Sequence, residues 1–221
     1  MTVSILPIGP VTMTVALANE ITGGLSNESK MPDKAWSIDA KHCITGGKLR
    51  KVKDSPCFEC YAHKHAYTWP VVKAAMARRL EAWEHPLWVP AMAFLIARRD
   101  PFFRWFGSGD LQSLQMLTKI VSVVRHTPDT HHWLPTQEYD MVRLWLKTHG
   151  RWPCNLVVRL SGRRVDHRPP SITINRYKMA TSTVVSDPDA ATCRAHDTGN
   201  KCGPCRKCWD HDVPNVSYPL H

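Results

Sequence analysis

Seven of the eight cysteines fall into two groups whose spacing suits metal chemistry. The C-terminal group, Cys193-x8-Cys202-x2-Cys205-x2-Cys208 in "CRAHDTGNKCGPCRKCW", sets three thiols at three-residue steps with a fourth farther back. That spacing lets a chain wrap an iron–sulfur cubane, with each sulfur reaching a different iron. A single zinc ion, which usually takes paired CxxC knuckles, gives the competing reading of a staple for the C-terminus. Under either reading Lys201, Arg206 and Lys207 offset the negative charge of a thiolate-held metal.

The first group is Cys43-x13-Cys57-x2-Cys60. Three thiolates leave one metal position open, as catalysis or ligand binding requires, or to be filled by His42, His63, His65, Cys154 or an external ligand. His63 and His65, in "SPCFECYAHKHAYTW", also read as surface residues ahead of a helix. Cys154, alone beside an apolar strand, reads as a buried small hydrophobe. A metal shared between Cys57/Cys60 and the tail would have to bridge the 141 residues from Cys60 to Cys202, far outside ribbon spacing. A thioredoxin-like dithiol would leave the other five grouped cysteines unexplained.

Composition frames that chemistry. A chain of 221 residues can bury a core without staples, so organised cysteines point to another task. The longest apolar run, VPAMAFLIA, is half of what a bilayer crossing needs, which excludes a membrane span. Ala16-Leu17-Ala18 echoes a signal cleavage site but has no basic region before it, so a cytosolic chain is expected. In a reducing compartment metal ligation outranks disulfides. The formal charge of +10 suits a nucleic acid, an anionic cofactor or a cluster site, and equally a plain solvated basic surface.

The elements that must position these residues alternate. AWSI at 35–38 leads into the cysteine loop, and Val71, Val72, Ala75, Met76, Leu80 and Trp83 recur at helical steps. A second helix covers 87–99. FFRWF, HWL at 132–134, NLVVRL at 155–160 and STVV at 182–185 read as strands, with helical stripes following the first two. Alternation of this kind predicts parallel βαβ units, hence an α/β fold with a partial or small (β/α) barrel-like parallel sheet. Residues 1–187 form that domain, and 188–221 a cysteine-rich metal-binding tail packed on it. Each strand exits into a polar turn (GSGD, PTQE, SGRR, SDPD), and one sheet edge would gather them. The residues nominated there are Ser108, Asp110 and Gln112, then Thr136, Gln137 and Glu138, with Arg159 and Ser161 for an anion. Asp110 and Glu138 are candidates for proton transfer or for helix capping, Asp110 as the N-cap of the helix after FFRWF.

"SNESK", "CITGGKLRKVKDSPCFECYA", "FFRWFGSGDLQS", "WLPTQEYD", "NLVVRLSG" and "KCGPCRKCWD…VSYPLH", in this order, resemble the bacteriophage gene product 88 family. The resemblance implies a phage-encoded protein of the host cytoplasm whose two cysteine groups belong to the family signature, and it implies no reaction. In architecture the chain is also similar to radical S-adenosylmethionine enzymes, which place three cluster-binding cysteines after the first strand of a partial barrel. Cys43, Cys57 and Cys60 would then hold a [4Fe–4S] cluster and Gly107-Ser108-Gly109-Asp110 would meet S-adenosylmethionine. The tail cysteines would hold an auxiliary cluster. Thirteen residues stand here where that family has three. Two functions follow: an iron–sulfur enzyme, radical or electron-transferring, acting on an unidentified small or macromolecular substrate, or a non-enzymatic zinc module that binds nucleic acid or a host protein.

Overall fold

The computed structural model describes residues 12–170 and 176–220. Six strands form one parallel sheet in the order of the sequence: β1 (Ala35–Trp36), β2 (Phe102–Trp105), β3 (His131–Thr136), β4 (Leu156–Ser161), β5 (Ala180–Val185) and β6 (Asn215–Pro219). β1 and β6 are the edges, so the sheet is open. The connections carry α2 (Ile44–Leu49), α3 (Pro70–Ala82) and α4 (Trp88–Ile96) after β1, α5 (Leu114–Arg125) after β2 and α6 (Tyr139–His149) after β3. An earlier helix, α1 (Val15–Thr22), packs on α4. It lies in a stretch with no clear sequence period.

A parallel sheet wound always in one direction with right-handed crossovers receives its helices on one face only. Alternating side chains make that division visible. Phe103 and Trp105 of β2, Leu134 of β3 and Leu156, Val158 and Leu160 of β4 enter the main core with α4, α5 and α6. Their neighbours Phe102 and Trp133 turn to the other face. In α4 the apolar run serves two layers: Trp88, Met92 and Ile96 meet the main core, while Ala91 and Leu95 meet Ala18 and Ile21 of α1.

The second face must also be buried, and the tail buries it. Trp133, Cys208, Trp209 and Val216 form a separate core there, with Phe102, Cys193, Val213 and Tyr218 packed around it. Trp209 meets Phe102 and Trp133 edge-on and donates its indole N–H to the Phe103 carbonyl at 2.9 Å. The tail therefore acts as a layer of the fold and supplies β6, a strand that "NVSYP" did not announce.

Arg159 of β4 fixes this layer. All five of its N–H groups reach main-chain carbonyls at 2.8 to 3.2 Å: those of Lys207, Cys208, Asp210 and Val213 in the tail, and that of Thr181 in β5. No donor is left for an anion, so the expected anion-binding role gives way to that of a latch. Arg79 does the same on the helical side, donating to the carbonyls of Gly24, Leu25 and Ser37.

Three further expectations are corrected. The N-cap of α5 is Ser113, whose hydroxyl accepts from the Met116 N–H at 3.0 Å, because the Asp110 carboxylate is engaged elsewhere. The stripe of α3 begins later than the periodicity suggests: Met76, Arg79 and Trp83 are buried, whereas Val71 is 71% exposed. Cys154 is exposed and precedes β4, so it lies at the sheet edge opposite the polar turns.

Candidate functional site

Because all six strands run in parallel, the polar turns share one edge, and the cysteine loop after β1 lies over it. A single helical turn at Ala40–His42 is started by Asp39, whose carboxylate accepts from the Lys41 N–H, and it delivers Cys43 to the N-cap of α2. The Ser55 hydroxyl accepts from the Cys57 N–H at 3.2 Å, and Cys60 caps the turn Tyr61–His63. All three thiols are free and partly buried. A Cβ on Gly46 would sit 3.0 Å from Cys43 Cβ, 3.5 Å from Cys57 Sγ and 3.7 Å from Cys43 Sγ, so glycine leaves the space into which the sulfurs turn.

Three consecutive residues at the exit of β3 grip three different loops. Thr136 donates its hydroxyl to Asp110 at 2.6 Å. Gln137 donates its side-chain amide to Cys57 Sγ at 3.3 Å. Glu138 accepts from the N–H and the hydroxyl of Thr45 at 2.8 and 2.9 Å. Cys43, the N-cap of α2, makes no side-chain cap bond, so a carboxylate 93 positions away along the chain caps that helix instead.

Asp110 completes the frame. Besides Thr136 it accepts from the N–H groups of Leu111 and Gln137, both at 2.8 Å. Burial pushes its carboxyl up to about 7, against these donors, which favour the ionised form. Ser108 donates to the Ile38 carbonyl at 2.7 Å, Gln112 donates to the Asp110 carbonyl, and the Ser161 hydroxyl pairs with that of Ser182. Arg163 in the turn after β4 donates to the Gln137 carbonyl at 2.8 Å. The turns after β2, β3 and β4 are thus joined to the cysteine loop, whereas Ser186 after β5 bonds to Asp166 in the turn after β4.

The thiols feel one another. Burial first, then the charges of Asp110, Cys60, Cys57 and Glu138, raise Cys43 far above the ordinary thiol range. Burial also raises Cys57 and Cys60, opposed by hydrogen bonds from Gln137 to Cys57 and from Ala62 to Cys60. Such thiols stay protonated until a cation reverses the balance. Among the described residues no three His, Cys, Asp or Glu side chains come close enough to hold a single metal ion. The donor set, three free and partly buried thiols on one loop, matches in number and type the three protein sulfurs that a larger group would need. His63 and His65 stay outside this frame.

The tail thiols gather separately. Cys202 lies within electrostatic reach of Cys193 and Cys205, and Cys208 within reach of Cys193. Cys208 Sγ stands 3.2 Å from the Tyr218 hydroxyl.

Residues 32–211 match the family model described as Gene product 88. The chain belongs to the Gene product 88 family. The family region begins just before β1 and includes both cysteine groups and every polar turn of the site, while α1 and β6 lie outside it. That match supports the phage origin implied by the sequence resemblance. No curated protein and no solved structure matches the chain.

Some participants escaped the sequence reading. Glu28, in "SNESK" just ahead of the matched family region, accepts from the Ser37 hydroxyl and lies against Gly107, where any Cβ would collide with its carboxylate. Arg104, the one charge in "FFRWF", stacks 4.5 Å over the Trp133 ring and acts on both Tyr61 and the tail thiols Cys202 and Cys208. A lone charge in an otherwise apolar strand was the available signal.

Proposed function

We propose that this Gene product 88 family member is a phage-encoded iron–sulfur protein of the host cytoplasm, in which Cys43, Cys57 and Cys60 hold a [4Fe–4S] cluster with one iron open to an outside ligand. The observation that carries the reading is the grouping of three free, half-buried thiols in one loop: Cys43 and Cys57 flank Gly46, Gln137 donates to Cys57, and Cys60 lies within electrostatic reach of both. A bound cluster supplies one-electron chemistry, and its open iron supplies a Lewis acid.

The protein's own residues have defined tasks. The Gln137 N–H points at the Cys57 sulfur and would stabilise negative charge there, a lever on reduction potential. Glu138 holds the α2 end that carries Cys43, and Asp110 fixes the backbone of Gln137. These positioning roles take precedence over proton transfer, because every oxygen of both carboxylates already accepts a hydrogen bond. Cys193, Cys202, Cys205 and Cys208 would supply four thiolates for a second cluster rather than a single ion, since no three of them come close enough for one ion. Zinc in the first group is disfavoured because a tetrahedral ion with Zn–S near 2.3 Å needs its sulfurs about 3.8 Å apart. Among the described residues no three such side chains come that close.

The place of the cysteine loop after β1 makes S-adenosylmethionine a candidate outside ligand by analogy of architecture alone. Against it, the side chains of Ser108, Gln112 and Ser161 are all bonded within the protein. Electron transfer is therefore the primary reading.

Anaerobic purification tests the proposal: the protein should be brown, absorb broadly in the visible and contain iron and acid-labile sulfide in near-equal amounts. A colourless protein carrying only zinc would refute it. Formation of 5′-deoxyadenosine by the reduced, loaded protein would extend the reading to radical chemistry.

A further inference from the structure

The surface around the three thiols combines two features that folding does not require. Between Lys41 and Lys73 the chain carries seven lysines and arginines against two acids, Asp54 and Glu59, and all nine are exposed. Both acids are engaged, Asp54 with Arg164 and Glu59 with Lys64. Lys48, Arg50, Lys51, Lys53 and Lys73 make no ion pair among the described residues.

The second feature is apolar. Phe58, between Cys57 and Cys60, is 40% exposed, and Trp69, heading α3, is 59% exposed. Seven of the other eight tryptophans are buried and Trp152 is half-buried, so an exposed indole here departs from the use this chain makes of the residue. Bases lie against the thiol loop that carries Phe58: Arg50 and Lys64 both act on Cys60, and the Lys30 ammonium stands 5.9 Å over the Tyr61 ring.

We propose that residues 41–73 form a docking surface for single-stranded nucleic acid, with phosphates on Lys48, Arg50, Lys51 and Lys53 and bases stacked on Phe58 and Trp69 beside the thiol site. Duplex is disfavoured because four of the five bases without an ion pair, Lys48, Arg50, Lys51 and Lys53, lie on or after the six-residue α2, and of α3 only the first turn, Pro70 to Lys73, belongs to the segment, so neither a long basic helix nor a two-stranded ribbon is offered to a major groove. Exposed rings set among unpaired bases are the means by which proteins bind single strands without reading sequence. An acidic protein is the competing occupant, and displacement by polyglutamate is the outcome that reads it. The surface needs no metal, so this inference stands apart from the iron–sulfur reading.

The test is fluorescence anisotropy of the full chain with a labelled oligodeoxythymidylate of about 15 nucleotides, a duplex of equal length and polyglutamate as competitor, across a salt series. Binding of the single strand should be tightest at low salt, and Trp69→Ala should weaken it about tenfold. Lys51→Gln/Lys53→Gln should flatten the slope of log affinity against log salt by about 1.4. Far-ultraviolet dichroism of each variant should match the parent, since the altered side chains are exposed. No binding at low salt, equal or tighter binding of duplex, displacement by polyglutamate charge for charge, or folded variants that bind as the parent does would each overturn the proposal. Comparing protein prepared with and without iron keeps the two readings separate.

Discussion

The Gln137 side-chain amide stands 3.3 Å from the Cys57 sulfur and joins residues 80 positions apart at the exit of β3. On this account the contact stabilises a ligated thiolate. Gln137→Leu should leave the fold unchanged while lowering metal affinity by about 10- to 100-fold, as loss of a ligand's supporting partner usually does. Chelator competition on the folded variant reads that loss, and unchanged metal retention would remove Gln137 from the site.

Glycine at 46 leaves the space into which the sulfurs of Cys43 and Cys57 turn. Gly46→Ala sets a methyl group 3.0 Å from Cys43 Cβ, closer than such carbons ordinarily approach. Overpacking of this kind costs about 1–3 kcal/mol. The variant should lose metal from the first group and keep it in the tail, which metal analysis combined with thiol counting distinguishes.

The tail layer hangs on Arg159. Replacing it with Met leaves five carbonyls without their donor and should cost about 3–5 kcal/mol, since each buried acceptor left unsatisfied costs about 1–3 kcal/mol and some of them find water. Lys, with three donors in place of five, should recover only part of this. Urea denaturation followed by tryptophan fluorescence measures the difference, and loosening of Trp209 against Phe102 and Trp133 should expose the tail to protease before the helical side opens.

Two buried groups pull the pH dependence of metal-free protein in opposite directions. His132 accepts the Trp105 indole N–H at Nδ1 and pairs with the Thr127 hydroxyl at Nε2, and burial holds it down to about 3. Its contribution is complete above the ordinary histidine value near 6.5 and is lost as pH falls toward 3. Asp110 is raised to about 7, so its contribution is complete below about 4 and is lost as pH rises toward 7. The wild-type protein should therefore change little in stability between about pH 4 and 6.5. His132→Gln, which keeps an acceptor and a donor, should expose the Asp110 slope, with stability falling as pH rises by about 3 kcal/mol over the window. Denaturation midpoints across pH check the sign, and a slope of the opposite sign would show that the three donors around Asp110 outweigh its burial.

How much of this was legible depended on whether the signal was local. Periodicity placed α5 and α6 closely because their apolar stripes face a core, and the β-branched and aromatic runs marked β2 to β5. The edge that gathers Ser108, Asp110, Thr136 and Gln137 followed from strand alternation. What those side chains do there did not, because Glu138 caps α2 and Asp110 receives donors from the turn after β3, both across long stretches of sequence. Arg159 looked like an anion site since a strand charge beside a turn usually faces solvent. It faces the tail, and nothing in "NLVVRL" tells which carbonyls will cover it. The same limit hid β6, whose five residues become a strand only because β5 offers an open edge.

Metal content per chain tests the central claim most directly, measured on anaerobically prepared wild-type protein and on the Cys43→Ser/Cys57→Ser/Cys60→Ser variant. The account predicts iron with matching sulfide in the wild type, and loss of the first group's share in the triple variant while the tail keeps its metal. Zinc alone in the wild type, or iron unchanged in the folded triple variant, would contradict it.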